Sequence, residues 1–186
     1  RYGFMNRTTK NLAAAGMLCA LAYGAAAAGR VPLVLFLKYD PKDVVIAAGG
    51  LIYGPAAACS VALAVSLAEM CTVSETGVLG CLMNVVSSCA FACTAALVYR
   101  RRRTLSGAVR GLLCGWLCMV SVMLPWNYLI TPIYMGYPRE AVAELLIPVF
   151  LPFNLVKGGL NATLTLLLYR PLMTALRRGG FMEEPE

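Results

Sequence analysis

Histidine is absent from all 186 residues. The commonest general base and the commonest metal ligand are therefore missing, and imidazole-based catalysis is excluded. Charge is scarce too, at 13% of residues against roughly 25% in soluble domains. The eight cysteines (19, 59, 71, 81, 89, 93, 114 and 118) include no C-x-x-C pair. Spacing thus gives little support to a zinc or redox centre, and the cysteines read as small apolar packing residues. Neither G-x-x-x-x-G-K-[ST] nor G-x-S-x-G occurs, so the chain has no phosphate loop with which to hydrolyse ATP and no nucleophile elbow. No catalytic residue and no metal site is assigned.

Apolar residues make up 60% of the chain and the mean hydropathy is +0.72. That is more apolar surface than a water-facing fold of this size can hide. The fold class expected is an all-α integral membrane protein. A membrane helix needs about 20 mainly apolar residues, and five long runs qualify, at 11–29, 44–68, 76–99, 111–138 and 145–169. The last contains one charge, Lys157. The run 44–68 carries Gly49-Gly50 and then Gly54-Pro55, a sequence that ends a helix and turns the chain, so it reads as two spans.

Charge placement supports that division, because basic residues collect on the cytoplasmic side. With a turn at Gly54-Pro55, Arg1, Arg7 and Lys10, then Arg100 to Arg103 with Arg110, then Arg170, Arg177 and Arg178 share one face. Those are eleven of the sixteen basic residues. The opposite loops are expected to hold Arg30, Lys38, Lys42 and Arg139 with six of the nine acids, Asp40, Asp43, Glu69, Glu75, Glu140 and Glu144. The expectation is one domain, 1–186, a bundle of six transmembrane helices near 10–30, 41–53, 56–73, 76–100, 108–131 and 151–177, both termini cytoplasmic. The second helix, about 20 Å long, must be tilted or shielded. The competing reading of the N-terminus is a cleavable signal peptide; a retained first span is expected. A basic inner face on anionic lipid accounts for the net charge of +7 without nucleic acid.

The strongest polar signal lies in the last span. Asn154, Lys157 and Asn161 are three and four residues apart, so on a helix two amides and an ammonium share a face. A lysine inside the bilayer usually faces a partner, a cavity or a ligand. No acid lies within 145–169, which favours a ligand or water-filled pocket over a purely structural lysine. Near the outer end of the fifth span, Trp126, Asn127 and Tyr128 precede Thr131-Pro132-Ile133-Tyr134. The aromatics there suit an interface belt as well as a site. Lys38, Tyr39 and Asp40 sit in the first outer loop, 31–40, either as a lid or as an ordinary solvated loop. In the first span Gly16, Ala20 and Gly24 recur every four residues, a smooth stripe for close packing inside the bundle or against a partner subunit.

Together the segments Leu37-Lys38-Tyr39-Asp40-Pro41, Gly54-Pro55, Asn127 with Thr131-Pro132-Ile133-Tyr134, 152–161 and Tyr169-Arg170-Pro171 resemble the riboflavin-binding S components of energy-coupling factor (ECF) vitamin transporters. They occur in the family's order and span nearly the whole chain. The resemblance implies a six-helix protein of the prokaryotic cell membrane that captures riboflavin from outside and works with a transmembrane T subunit and two cytoplasmic ATPases. It implies riboflavin as transported ligand rather than cofactor. By position, the ligand residues would be Asn127, Asn154, Lys157 and Asn161, with Lys38 to Asp40 as lid, and the stripe of the first helix would face the T subunit. Trp126 and Tyr39 are the expected ring neighbours. FMN would bind if its phosphate projected into water. An S component for another vitamin, and a membrane-embedded lipid-modifying enzyme using Lys157, are the alternatives.

Overall fold

The computed structural model describes residues 7–34, 37–39, 41–72 and 77–178. The long apolar runs become helices. α1 (Arg7–Gly29) leads into a small antiparallel hairpin of β1 (Val31–Val34) and β2 (Leu37–Tyr39), with Val31 opposite Tyr39 and Pro32 opposite Lys38. Then follow α2 (Lys42–Tyr53), α3 (Pro55–Thr72), α4 (Gly77–Tyr99) and α5 (Leu105–Met135). α6 (Arg139–Leu145) runs through a π-helical turn, Leu146–Phe150, directly into α7 (Leu151–Arg178). The chain is thus nearly all-helical rather than wholly so: part of the first loop forms a hairpin.

Among the described residues, five helical stretches are long and apolar enough to cross a membrane: Asn11–Gly29, Pro55–Thr72, Gly77–Tyr99, Leu105–Met135 and Arg139–Ala175. α2, with twelve residues, spans only about 18 Å. The break between α2 and α3 falls at Gly54, whose φ of 99° favours glycine. Its N–H closes α2 on Gly50 O at 2.8 Å, and Pro55 opens α3, where its missing N–H costs nothing. α5 starts on a Thr104 cap, whose Oγ1 accepts from the Gly107 N–H at 3.2 Å. It ends on left-handed Gly136.

α4 is the central helix, packed against α2, α3 and α5. The α4–α5 seam depends on missing side chains: a Cβ on Gly111 would lie 2.6 Å from the Ala95 carbonyl oxygen. Small residues at this spacing let backbones approach where apolar burial cannot distinguish helix from lipid. Burial is inverted relative to a water-soluble domain. Leu12, Met17, Leu117, Ile133, Ile147 and Leu167 point outward, whereas Lys42, Asp43, Glu69, Asn127, Asn154, Lys157 and Asn161 are buried. Such a surface suits lipid.

The structure corrects one part of the charge reading. Lys42, Asp43 and Glu69 do not lie in solvated outer loops; each is 0% exposed. α2 begins immediately after Pro41, so its first turn turns Lys42 and Asp43 into the bundle instead of leaving them in the connection. Glu69, in the last turns of α3, accepts from Lys42 Nζ at 2.9 Å and from Arg30 Nη2 at 2.6 Å.

Candidate ligand-binding site

α7 builds the site's main wall. Its 3.6-residue period carries Asn154, Lys157, Asn161 and Thr165 onto one buried face. Two of these side chains are tied to their own helix: Asn154 Nδ2 donates to Phe150 O at 2.8 Å and Thr165 Oγ1 to Asn161 O at 2.7 Å. Phe150 closes the π-helical turn, the sort of local unwinding that re-aims side chains at functional sites.

The other wall comes from α2 and α4. Lys157 Nζ donates to Ser87 Oγ at 3.2 Å and lies 3.5 Å from Asp43 Oδ2. The same Oδ2 accepts from Asn161 Nδ2 at 3.3 Å, and Ser88 Oγ donates to Asp43 Oδ1 at 2.5 Å. The expectation that the lysine has no neighbouring acid is therefore overturned. α7 supplies none, but α2 does, and the pairing offsets much of the cost of a charge inside the bundle. β2 closes the arrangement from the hairpin side, with Tyr39 OH donating to Asn161 Oδ1 at 3.0 Å.

Lys157, Asn154 and Asn127 line one cavity of about 40 Å³ together with Lys38, Asn84, Ser87, Met83, Met123 and Phe153. Asn127, on α5, accepts from Thr131 Oγ1 at 3.3 Å through Oδ1, so its NH2 is the part that can serve a ligand. Lys38 stands exposed at the mouth. Asn161 lies behind this lining, reached through Tyr39 and Asp43. Trp126 is placed elsewhere: with Leu79, Gly80, Ile130, Thr131 and Tyr134 it lines an adjoining, mainly apolar cavity that shares Met83. Asp40 lies outside the described residues.

Asn84 and Ser87 escaped the sequence reading, and Asp43 was expected in an outer loop. Asn84, Ser87 and Ser88, at i, i+3 and i+4 in an otherwise apolar helix, form a polar face by the same rule that revealed α7. Asp43 carried no such signal, because a charge beside a proline at a helix start looks like loop.

Two further features fall outside the cavity. Cys59 on α3 and Cys89 and Cys93 on α4 bring their sulfurs within 4.8 Å of one another, a grouping that spacing within one segment could not reveal. Three thiolates on a divalent ion would leave net negative charge in the bilayer interior, which is costly, so close packing is the simpler reading. On α1, Gly16, Ala20 and Gly24 are exposed, and a Cβ on either glycine would meet nothing within 4 Å.

A largely helical molecule with apolar outer faces and a charged, amide-rich centre is a multi-pass membrane protein. Residues 10–169 match the family described as ECF transporter, substrate-specific component, and the chain belongs to that family. It is a transporter component, not an enzyme, so the lipid-modifying alternative is set aside. The riboflavin transporter RibU of Staphylococcus aureus (strain TCH60) is 27% identical over 149 residues, covering 77% of this chain and 78% of that protein. A solved S component of a bacterial ECF transporter matches with a TM-score of 0.77 and 26% identity, over 91% of this chain and 99% of that one.

Proposed function

We propose that this S component captures riboflavin at the outer face of a prokaryotic plasma membrane and passes it inward in complex with a T subunit and two ATPases. The observation that carries the reading is the convergence of Asn127, Asn154 and Lys157 on one cavity. Riboflavin presents a pyrimidine edge alternating C=O, N–H and C=O, a ribityl chain of hydroxyls and an apolar dimethylbenzene end. A side-chain amide offers a donor and an acceptor side by side, and lysine offers donors only. With Asn127 Oδ1 held by Thr131 and Asn154 Nδ2 held by Phe150 O, the Asn127 NH2 suits a pyrimidine carbonyl and the Asn154 Oδ1 suits the ring N–H, while Lys157 suits a ring carbonyl or ribityl oxygens. Leu79, Trp126 and Tyr134, in the adjoining cavity, suit the dimethylbenzene end. Lys38 and Tyr39 belong to the lid.

A cavity of about 40 Å³ is water-sized, so a flavin enters only when the hairpin withdraws and the Tyr39 to Asn161 bond opens. The riboflavin name of the Staphylococcus relative supports the choice of vitamin. In this reading α2 is the sixth crossing, shielded by α1, α3, α4 and α7, which pack around it, and both termini are cytoplasmic. The open Gly16, Ala20 and Gly24 stripe faces the T subunit. FMN is accommodated where its phosphate reaches water.

The test is spectroscopic. Protein purified from cells grown with riboflavin is expected to be yellow, with quenched flavin fluorescence that returns on denaturation. Colourless protein that fails to quench added riboflavin but binds another vitamin would assign the pocket to that vitamin.

A further inference from the structure

The geometry points to Asp43 as a specificity-determining residue of the ligand site: by cancelling the charge of Lys157 and holding Asn161, it fits the pocket to a neutral, hydrogen-bonding ligand and turns it against an anionic one. This deepens the riboflavin reading and rests on it. Asp43 is 0% exposed, so it does not serve as a surface acid. Both of its oxygens are engaged, Oδ1 by Ser88 and Oδ2 by Asn161 and Lys157. One of those partners, Lys157, is a residue that the riboflavin reading assigns to the ligand, and Asn161 lies directly behind it.

The neighbouring charges are balanced elsewhere. Glu69 is shared by Lys42 and Arg30, with Arg30 partly open to water, and Lys38 is exposed at the mouth, where solvent screens it. Among the described residues the acid beside Lys157 is thus Asp43, from α2. An ammonium left alone at this depth recruits an anion; paired with Asp43, it donates hydrogen bonds without demanding one. Riboflavin carries no charge at neutral pH. FMN carries an anionic phosphate on the same ring system and tail, so the two differ in the property that Asp43 controls.

The experiment measures riboflavin and FMN dissociation constants by fluorescence quenching, on purified full chain, for wild type, Asp43→Asn, Lys157→Gln and the double variant. Asp43→Asn keeps the shape and exposes the ammonium; the FMN-to-riboflavin affinity ratio is expected to rise severalfold, because an uncompensated ammonium attracts the phosphate even where that group reaches water. Lys157→Gln is expected to lower the ratio by a similar factor. The double variant, neutral again, is expected to return near the wild-type ratio, and it carries the test should Asp43→Asn alone not fold.

An Asp43 that merely props the helices would weaken both flavins equally and leave the ratio unchanged; its double variant would match Lys157→Gln. Either result overturns the inference. Wild type that binds neither flavin instead overturns the riboflavin reading, so the two failures are distinct.

Discussion

A lysine at the centre of a bilayer costs about 2.5–3.5 kcal/mol on insertion scales. Lys157 is nonetheless 7% exposed, with Ser87 and Asp43 beside it. What distinguishes it from a lysine that only braces the bundle is the cavity it lines with Asn127 and Asn154. Lys157→Ala and Asn127→Ala are therefore expected to weaken riboflavin binding, each by about tenfold to a hundredfold, the range for losing a hydrogen bond to a charged or buried group. Titration of flavin fluorescence, with elution on size exclusion as the control for folding, checks this. Unchanged binding by both folded variants would place the ligand elsewhere. Buried ions elsewhere behave differently: Glu69→Gln removes the shared counter-charge of Lys42 and Arg30 and is expected to cost about 3–5 kcal/mol of stability, seen as an earlier thermal loss of the monodisperse peak. A transition within a degree of wild type would contradict it.

At the scale of elements, α7 and the α2–α3 break were legible and the start of α2 was not. Asn154, Lys157 and Asn161 announce their shared face because one helix carries them all. Gly54-Pro55 announces a turn because φ at glycine and the absent N–H of proline act locally. Asp43 meets Asn161 across 118 positions, and no local rule reaches that far. Its neighbour Pro41 looks like a loop residue, although it places the first turn of a short buried helix. The same limit hid the Cys59, Cys89 and Cys93 grouping and the seating of Trp126 one cavity away from Lys157. Packing of α4 against α5 yields its own prediction. Gly111→Leu drives a side chain into the Ala95 carbonyl and is expected to reduce the yield of folded, detergent-extractable protein severalfold. Wild-type yield with wild-type binding would mean that the seam can open without consequence.

For the whole molecule, the inverted burial, the family match over residues 10–169 and the exposed small-residue face of α1 describe a subunit with two surfaces of different use. In the proposed function the cavity serves a vitamin and the α1 stripe serves a partner helix. Ala20→Leu separates them: flavin binding by the purified subunit should be unchanged, while riboflavin uptake in cells that also contain the T subunit and ATPases should fall to background. Normal uptake would return the stripe to lipid.

The central claim is that the amide-and-ammonium cavity holds riboflavin, and titration of riboflavin fluorescence with the purified chain tests it most directly. Saturable quenching at one flavin per chain, lost or strongly weakened in Lys157→Ala, is the predicted result. Full flavin emission throughout the titration with folded wild-type protein would contradict it.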